Sequence, residues 1–158
     1  CANRFEDAET YFRNAVTLNP GISAGYYRLG AVLLAGNKPE AALAEFLLDA
    51  DEEYKLKGRA LSFHALGRTE EFETLFTELQ DRYGAQWPSE IAHVYAWTGD
   101  HDAAFEWLDK AVTINEGGIG GSRQELWLSP LHDDPRWQVY LEKLGISDEQ
   151  VAEIDFEF

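Results

Sequence analysis

With 158 residues, 45% of them apolar and 13% aromatic, the chain has too much core-forming side chain for a disordered segment. It is short enough for one ordinary domain or one short repeat array. A formal net charge of −16, from 29 acidic and 13 basic residues, opposes phosphate backbones and anionic lipid, which argues against nucleic acid and membrane surfaces and favours basic partners.

No apolar run approaches the roughly 18 residues of a membrane-spanning helix. Cys1 is the only cysteine, so there is no internal disulfide and no cysteine-built metal site. From Phe5 to about Ile114, apolar residues recur at three- and four-residue steps, the period of helices packed on one face. The pattern breaks at NPG (19–21), GNKP (36–39), GRT (67–69), YGAQWP (83–88) and TGD (98–100). These are turn and cap signals, with Pro39 and Pro88 near helix starts and Asp100 as an N-cap. Short paired helices are predicted throughout, and no segment in this region reads as a strand. One position is odd. Gly30 lies in the apolar stripe of its helix, where glycine costs about 1 kcal/mol against alanine, so close approach of a second helix is expected to compensate.

The helices repeat. Small residues stand at Gly30, Ala60 and Ala92, and twelve residues after each come Ala42, Phe72 and Ala104. Bulky Leu33, Phe63 and Tyr95 follow the first set by three, and Phe46, Phe76 and Leu108 follow the second by four. Asn37, Gly67 and Gly99 take equivalent turn positions between the paired helices.

This spacing resembles the tetratricopeptide repeat family, whose signature W-x2-L-G-x2-Y…A-x3-F…P recurs at about 34 residues. The best match is Tyr26-x2-Leu29-Gly30-x2-Leu33 followed by Ala42-x3-Phe46. An earlier half-unit gives Ala8-x3-Phe12, Ala15 and the terminal Pro20, and a later unit gives Ile91-Ala92-x2-Tyr95, Ala104-x3-Leu108 and Ala111. The resemblance covers residues 1–116 and implies that Gly30 meets Ala42, so that Gly30→Leu overpacks the pair at a cost of several kcal/mol (~3). Its register places Cys1 near the end of a first helix, with about twelve residues of that unit expected upstream. Departures are specific: the intervals from Gly30 to Ala60 and from Ala60 to Ala92 are 30 and 32 residues. Tyr54 and Glu116 stand at the closing-proline position, and Phe72 replaces a small residue, so an irregular crossing is expected in that unit.

After Asn115 the character changes. EGGIGGS (116–122) reads as a flexible connector. It follows a helix and lacks the lysine of a phosphate-cradling loop. LWLSPLHDDPRWQVYLEKLG (126–145) reads as the capping element that such an array needs, with Asp133 or Asp134 as N-cap, Pro135 in the first turn and Gly145 as stop. The tail DEQVAEIDFEF (148–158) is acidic, with Ile154, Phe156 and Phe158 alternating, and reads as a last cap helix or a short docking motif. ALSFHALGR (60–68), HVYAWTGDHDAAFEWLDKA (93–111) and SPLHDDPRWQVYLEKLG (129–145) together resemble the C-terminal repeat arrays of bacterial multidomain regulators, of the kind linked to winged-helix or nucleotide-cyclase modules.

The family resemblance implies an all-α fold, a right-handed superhelix of antiparallel helix pairs closed by a C-terminal capping helix. Residues 1–116 form the array with a truncated first unit, and residues 117–158 form the loop, cap and acidic tail packed on the last repeat. It also implies a concave groove lined by the first helix of each unit. By register that groove takes Tyr27, Ala31 and Leu34, then Lys57, Leu61 and His64, then Ser89, His93, Ala96 and Trp97. Tyr27, His64, His93 and Trp97 are the strongest contact candidates, because aromatic groups give much contact area at little entropy cost. Lys57 stands without an accompanying asparagine, which speaks against a carboxylate clamp. His64, His93 and Glu90 could ligate zinc if brought together. No catalytic set or cofactor fingerprint stands out, so neither an enzyme nor a cofactor or metal site is expected. The implied function is a protein- or peptide-binding scaffold or sensor domain of a larger bacterial regulatory protein, with basic or apolar partners; the alternative is a self-association module. The compartment stays open between bacterial cytoplasm and periplasm.

Overall fold

Turn chemistry sets the helix boundaries. A computed structural model describes residues 2–152, with side chains from residue 5. Its helices are α1 (Ala2–Leu18), α2 (Gly25–Ala35), α3 (Pro39–Phe46), α4 (Glu52–Ala65), α5 (Thr69–Tyr83), α6 (Pro88–Thr98) and α7 (His101–Thr113). Two 3-10 segments, Ile119–Gln124 and Leu126–Leu131, then lead to α8 (Pro135–Lys143) and α9 (Asp148–Ala152). Among the described residues there is no strand. Pro39, Pro88 and Pro135 occupy first turns, where a missing N–H costs nothing. Asp51, Asp100 and Asp134 cap α4, α7 and α8 by accepting from the backbone N–H of Glu53, Ala103 and Arg136. The three equivalent turn residues, Asn37, Gly67 and Gly99, all take positive φ, at 59°, 70° and 94°, which only glycine and short polar residues do cheaply.

The chain divides into two compact bodies, Cys1–Arg82 and Tyr83–Phe158. In the first, α2 and α3 pack closely, and a ring beyond the expected Ala42 bears on Gly30. A Cβ on Gly30 would come within 2.6 Å of the Phe46 ring, whose atoms lie nearest to it. A Cβ on Gly58 of α4 would come within 2.2 Å of the same ring. Phe46 is fully buried, so its ring sits in a slot between two glycines on two helices. Dispersion across that slot offsets what the glycines cost their helices.

The α4–α5 pair lacks the close backbone approach that α2–α3 and α6–α7 share. Phe72, half-buried, stands where those pairs carry Ala42 and Ala104, both fully buried.

In the second body α6 and α7 meet through Ala92, Ala96 and Ala104, and the core continues through Phe105, Leu108, Leu128, Leu131, Trp137, Tyr140 and Leu141. The C-terminal segment is thus part of the last repeat's core. The connector expected to be flexible is instead structured: Glu116 and Ser122 are buried, 119–124 form a 3-10 turn, and the Ser122 hydroxyl meets Tyr140 Oη at 2.8 Å. Burial raises the Tyr140 phenol above its usual pKa. Gly145 ends α8 with φ of 73°. Ile154, Phe156 and Phe158 lie outside the described residues.

Candidate functional site

Neither α2 nor α6 has a side-chain cap from its own N-cap residue, and a buried carboxylate supplies each from a distance. Asp49 Oδ2 accepts from the Tyr27 N–H at 2.9 Å, while Oδ1 accepts from Asp51 N–H at 3.1 Å. Glu116 Oε2 accepts from the Ser89 N–H at 2.9 Å, and its other oxygen takes a short bond from the Ser89 hydroxyl. An anion there satisfies orphan donors and opposes the positive end of the helix dipole. Glu116 is the residue in the closing-proline position.

The register makes a further equivalence visible. Tyr27 and Ser89 are the same repeat position, as are Tyr54 and Glu116. In the first body that pair is a ring stack, Tyr27 on Tyr54 with centroids 4.5 Å apart; in the second it is the Ser89–Glu116 bond. Lys57, with 1% exposure, places Nζ 4.9 Å from the Tyr27 ring centroid, a cation–π contact in a desolvated setting. Tyr27 also meets Phe46 in a tilted arrangement, with centroids 5.7 Å apart.

These placements reshape the expected groove. Tyr27, Leu34, Lys57, Leu61, Ser89 and His93 are all buried, and Ala31 and Ala96 with them, so they build the packed wall of the repeats. His93 Nδ1 lies 3.6 Å from Glu90 Oε2 one turn back. Trp97 is half-buried and meets Trp127 edge-on, with centroids 5.0 Å apart, so the chain's own 3-10 segment occupies that side of α6. Only His64 is exposed.

His64 stands exposed against the half-buried Phe72. At the equivalent position Leu34 is 5% exposed and Ala96 is fully buried. The His64 imidazole lies edge-on to Phe72 at 5.1 Å, and Phe72 stacks on Phe76 at 5.5 Å. Arg68 covers the half-buried Phe63 at 4.4 Å and pairs with Glu71. Desolvation against these apolar neighbours lowers the His64 pKa below its ordinary 6.5. Along its length α5 carries Glu70, Glu71, Glu73, Glu78 and Asp81, with one cation, Arg82, paired to Glu78.

Among the described residues no three His, Cys, Asp or Glu side chains converge on a point that could hold a metal, and no helix is long and apolar enough to cross a membrane. Gly58 and Asp49 carry no signal in the sequence reading, and Glu116, noted there only as a departure at the closing-proline position, caps α6. The question raised by Gly30, a glycine inside a helix, applied equally to Gly58.

Comparison with protein families finds two matches. A tetratricopeptide repeat model matches residues 2–55, which hold the Gly30–Phe46 contact. A second tetratricopeptide repeat model matches residues 90–117, which hold the α6–α7 pair and Glu116; together they span just over half of the chain. The stretch 56–89, with the opened α4–α5 pair, lies outside both. No curated protein and no solved structure matches the chain.

Proposed function

As the chain belongs to the tetratricopeptide repeat family, we propose that it is a protein-binding scaffold whose contact point is the opened α4–α5 pair. It takes a basic segment carrying one apolar anchor. The observation that carries this reading is the exposure of His64 beside the half-buried Phe72, in a position that the neighbouring units close. An aromatic floor rewards a buried apolar side chain, and the acidic α5 rewards flanking lysine or arginine and speeds encounter at low salt. The larger setting we propose is a bacterial regulatory protein, supported by the segments 60–68, 93–111 and 129–145 that resemble the repeat arrays of such regulators. Coding sequence on either side of the chain tests that setting: a winged-helix or cyclase module supports it, and further repeats favour a plain scaffold.

Panning a random peptide library against the wild type and against His64→Ala/Phe72→Ala tests the contact point. Basic peptides with a single aromatic or aliphatic anchor are expected to enrich on the wild type and to lose at least about tenfold in affinity on the variant, the scale of one lost contact residue. The same peptides enriched with unchanged affinity by both proteins would overturn it.

A further inference from the structure

The second helices of the units share one register, so their outward positions can be compared directly. Counted from Ala42, Phe72 and Ala104, the residues two, five and six places on are exposed in every unit. On α5 these are Thr74, Thr77 and Glu78, and on α7 they are Glu106, Asp109 and Lys110. Counted from Ala8, α1 is polar there too, with Thr10, Arg13 and Asn14. On α3 the same three positions hold Ala44, Leu47 and Leu48, with the leucines 52% and 61% exposed. Ala41 is exposed as well, and 41, 44 and 48 follow the helical period, so α3 turns an apolar stripe outward. The leucine end of the stripe is firmly held. Leu47 N–H donates to the Leu43 carbonyl at 3.2 Å and Leu48 N–H to the Glu45 carbonyl at 3.0 Å. The next residue, Asp49, is fixed through its carboxylate to the N–H groups of Tyr27 and Asp51.

We propose that this stripe docks a basic amphipathic helix of a partner protein. Ala41 and Ala44 let a second helix come close, and Leu47 and Leu48 enter the grooves of its apolar face. Charge selects the partner. Glu40 stands at one end of the stripe and Asp51 at the other, both exposed, on a chain of net charge −16, so lysine or arginine flanking the partner's apolar face is attracted. The same charge opposes a second copy of this chain and an anionic membrane, the other claimants to an exposed leucine pair. Leucines already fixed by the turn lose little freedom on binding. A stripe one short helix long is below the size of a standard interface, so affinity in the micromolar range is expected. It uses none of the residues of the α4–α5 contact point.

Titration of the 158-residue chain with a helical peptide of leucines on one face and lysines on the other tests this. Leu47→Thr/Leu48→Glu installs what α5 carries at the same two positions, and Ala44→Glu installs what α7 carries. Both changes add negative charge at exposed sites, so the wild-type Tm is expected to persist. Affinity for the basic peptide is nevertheless expected to fall at least about tenfold in each, the scale of lost contact residues. His64→Ala/Phe72→Ala is expected to bind this peptide as the wild type does. Equal or tighter binding by Leu47→Thr/Leu48→Glu and by Ala44→Glu means that charge alone holds the peptide, and overturns the inference. A wild type that does not bind overturns it as well. Binding lost in His64→Ala/Phe72→Ala but kept in Leu47→Thr/Leu48→Glu assigns the helix to the α4–α5 pair and overturns it too. So does a wild-type dimer in sedimentation that Leu47→Thr/Leu48→Glu dissolves, which assigns the stripe to a second copy.

Discussion

Gly58→Ala is the smallest change that strikes the centre of the first body. On helix propensity alone it should stabilise α4 by about 1 kcal/mol. Packing points the other way: the added Cβ would stand 2.2 Å from Phe46 Cγ and 2.3 Å from Cδ1, atoms at the base of the ring. The ring cannot retreat towards α2, where space for a Cβ on Gly30 ends 2.6 Å from the same ring. Overpacking of a well-filled core costs about 1–3 kcal/mol, and a clash at the root of a trapped ring belongs at the upper end. The net expectation is a loss of about 2 kcal/mol, or roughly 4–8 °C in Tm for a chain of this size. Thermal and urea unfolding read it, with Phe46→Leu made alone and together with Gly58→Ala. Coupling is expected: with the ring gone, Gly58→Ala should cost far less than it does in the wild type. A Gly58→Ala protein more stable than wild type, with additive effects in the double variant, would refute the two-glycine slot.

Two further outcomes follow from the capping and titration geometry. Glu116→Pro restores the family's usual residue but removes both bonds to Ser89 and the Glu116 N–H bond to Ala111; a loss of about 3 kcal/mol or more is expected from urea unfolding, since each bond to a buried charge is worth roughly 1.5–3 kcal/mol. Unchanged stability would remove Glu116 from the capping of α6. For His64, the folded pKa lies below the ordinary 6.5, so as pH falls the unfolded chain takes the proton first. The stability held by the neutral ring is therefore complete above 6.5 and is lost as pH falls through the folded value. His64→Gln should lose less melting temperature than the wild type between about pH 7.5 and about pH 5, and equal losses in the two proteins would contradict the desolvated ring.

Much of the fold was legible because it rests on short-range chemistry. Pro39, Pro88, Asp100 and Gly145 announce helix ends whatever surrounds them, and the spacing of Gly30, Ala42, Ala92 and Ala104 is a local record of helix pairs. What stayed hidden depends on contacts distant in sequence. Gly30 and Gly58 share one ring, which neither helix reveals by itself. Asp49 and Glu116 cap helices 22 and 27 residues upstream, and a lone acid after a helix looks like any solvated one. The candidate groove was read from register, and register gives the face of a helix without saying what covers it. Trp97 is met by Trp127 from thirty residues on, and Lys57 is folded onto Tyr27, so of the expected contact residues only His64 stands exposed.

The contact point at the opened α4–α5 pair is best tested by nuclear magnetic resonance titration of the isotope-labelled chain with a lysine-rich probe peptide bearing a single tryptophan. Amide shifts are expected to concentrate between residues 60 and 76, to include the His64 ring, and to weaken as salt is raised towards about 0.5 M, where surface charges are screened. Shifts of the same size spread along the acidic surface, or confined to α1 or α8 with His64 unmoved, would contradict it.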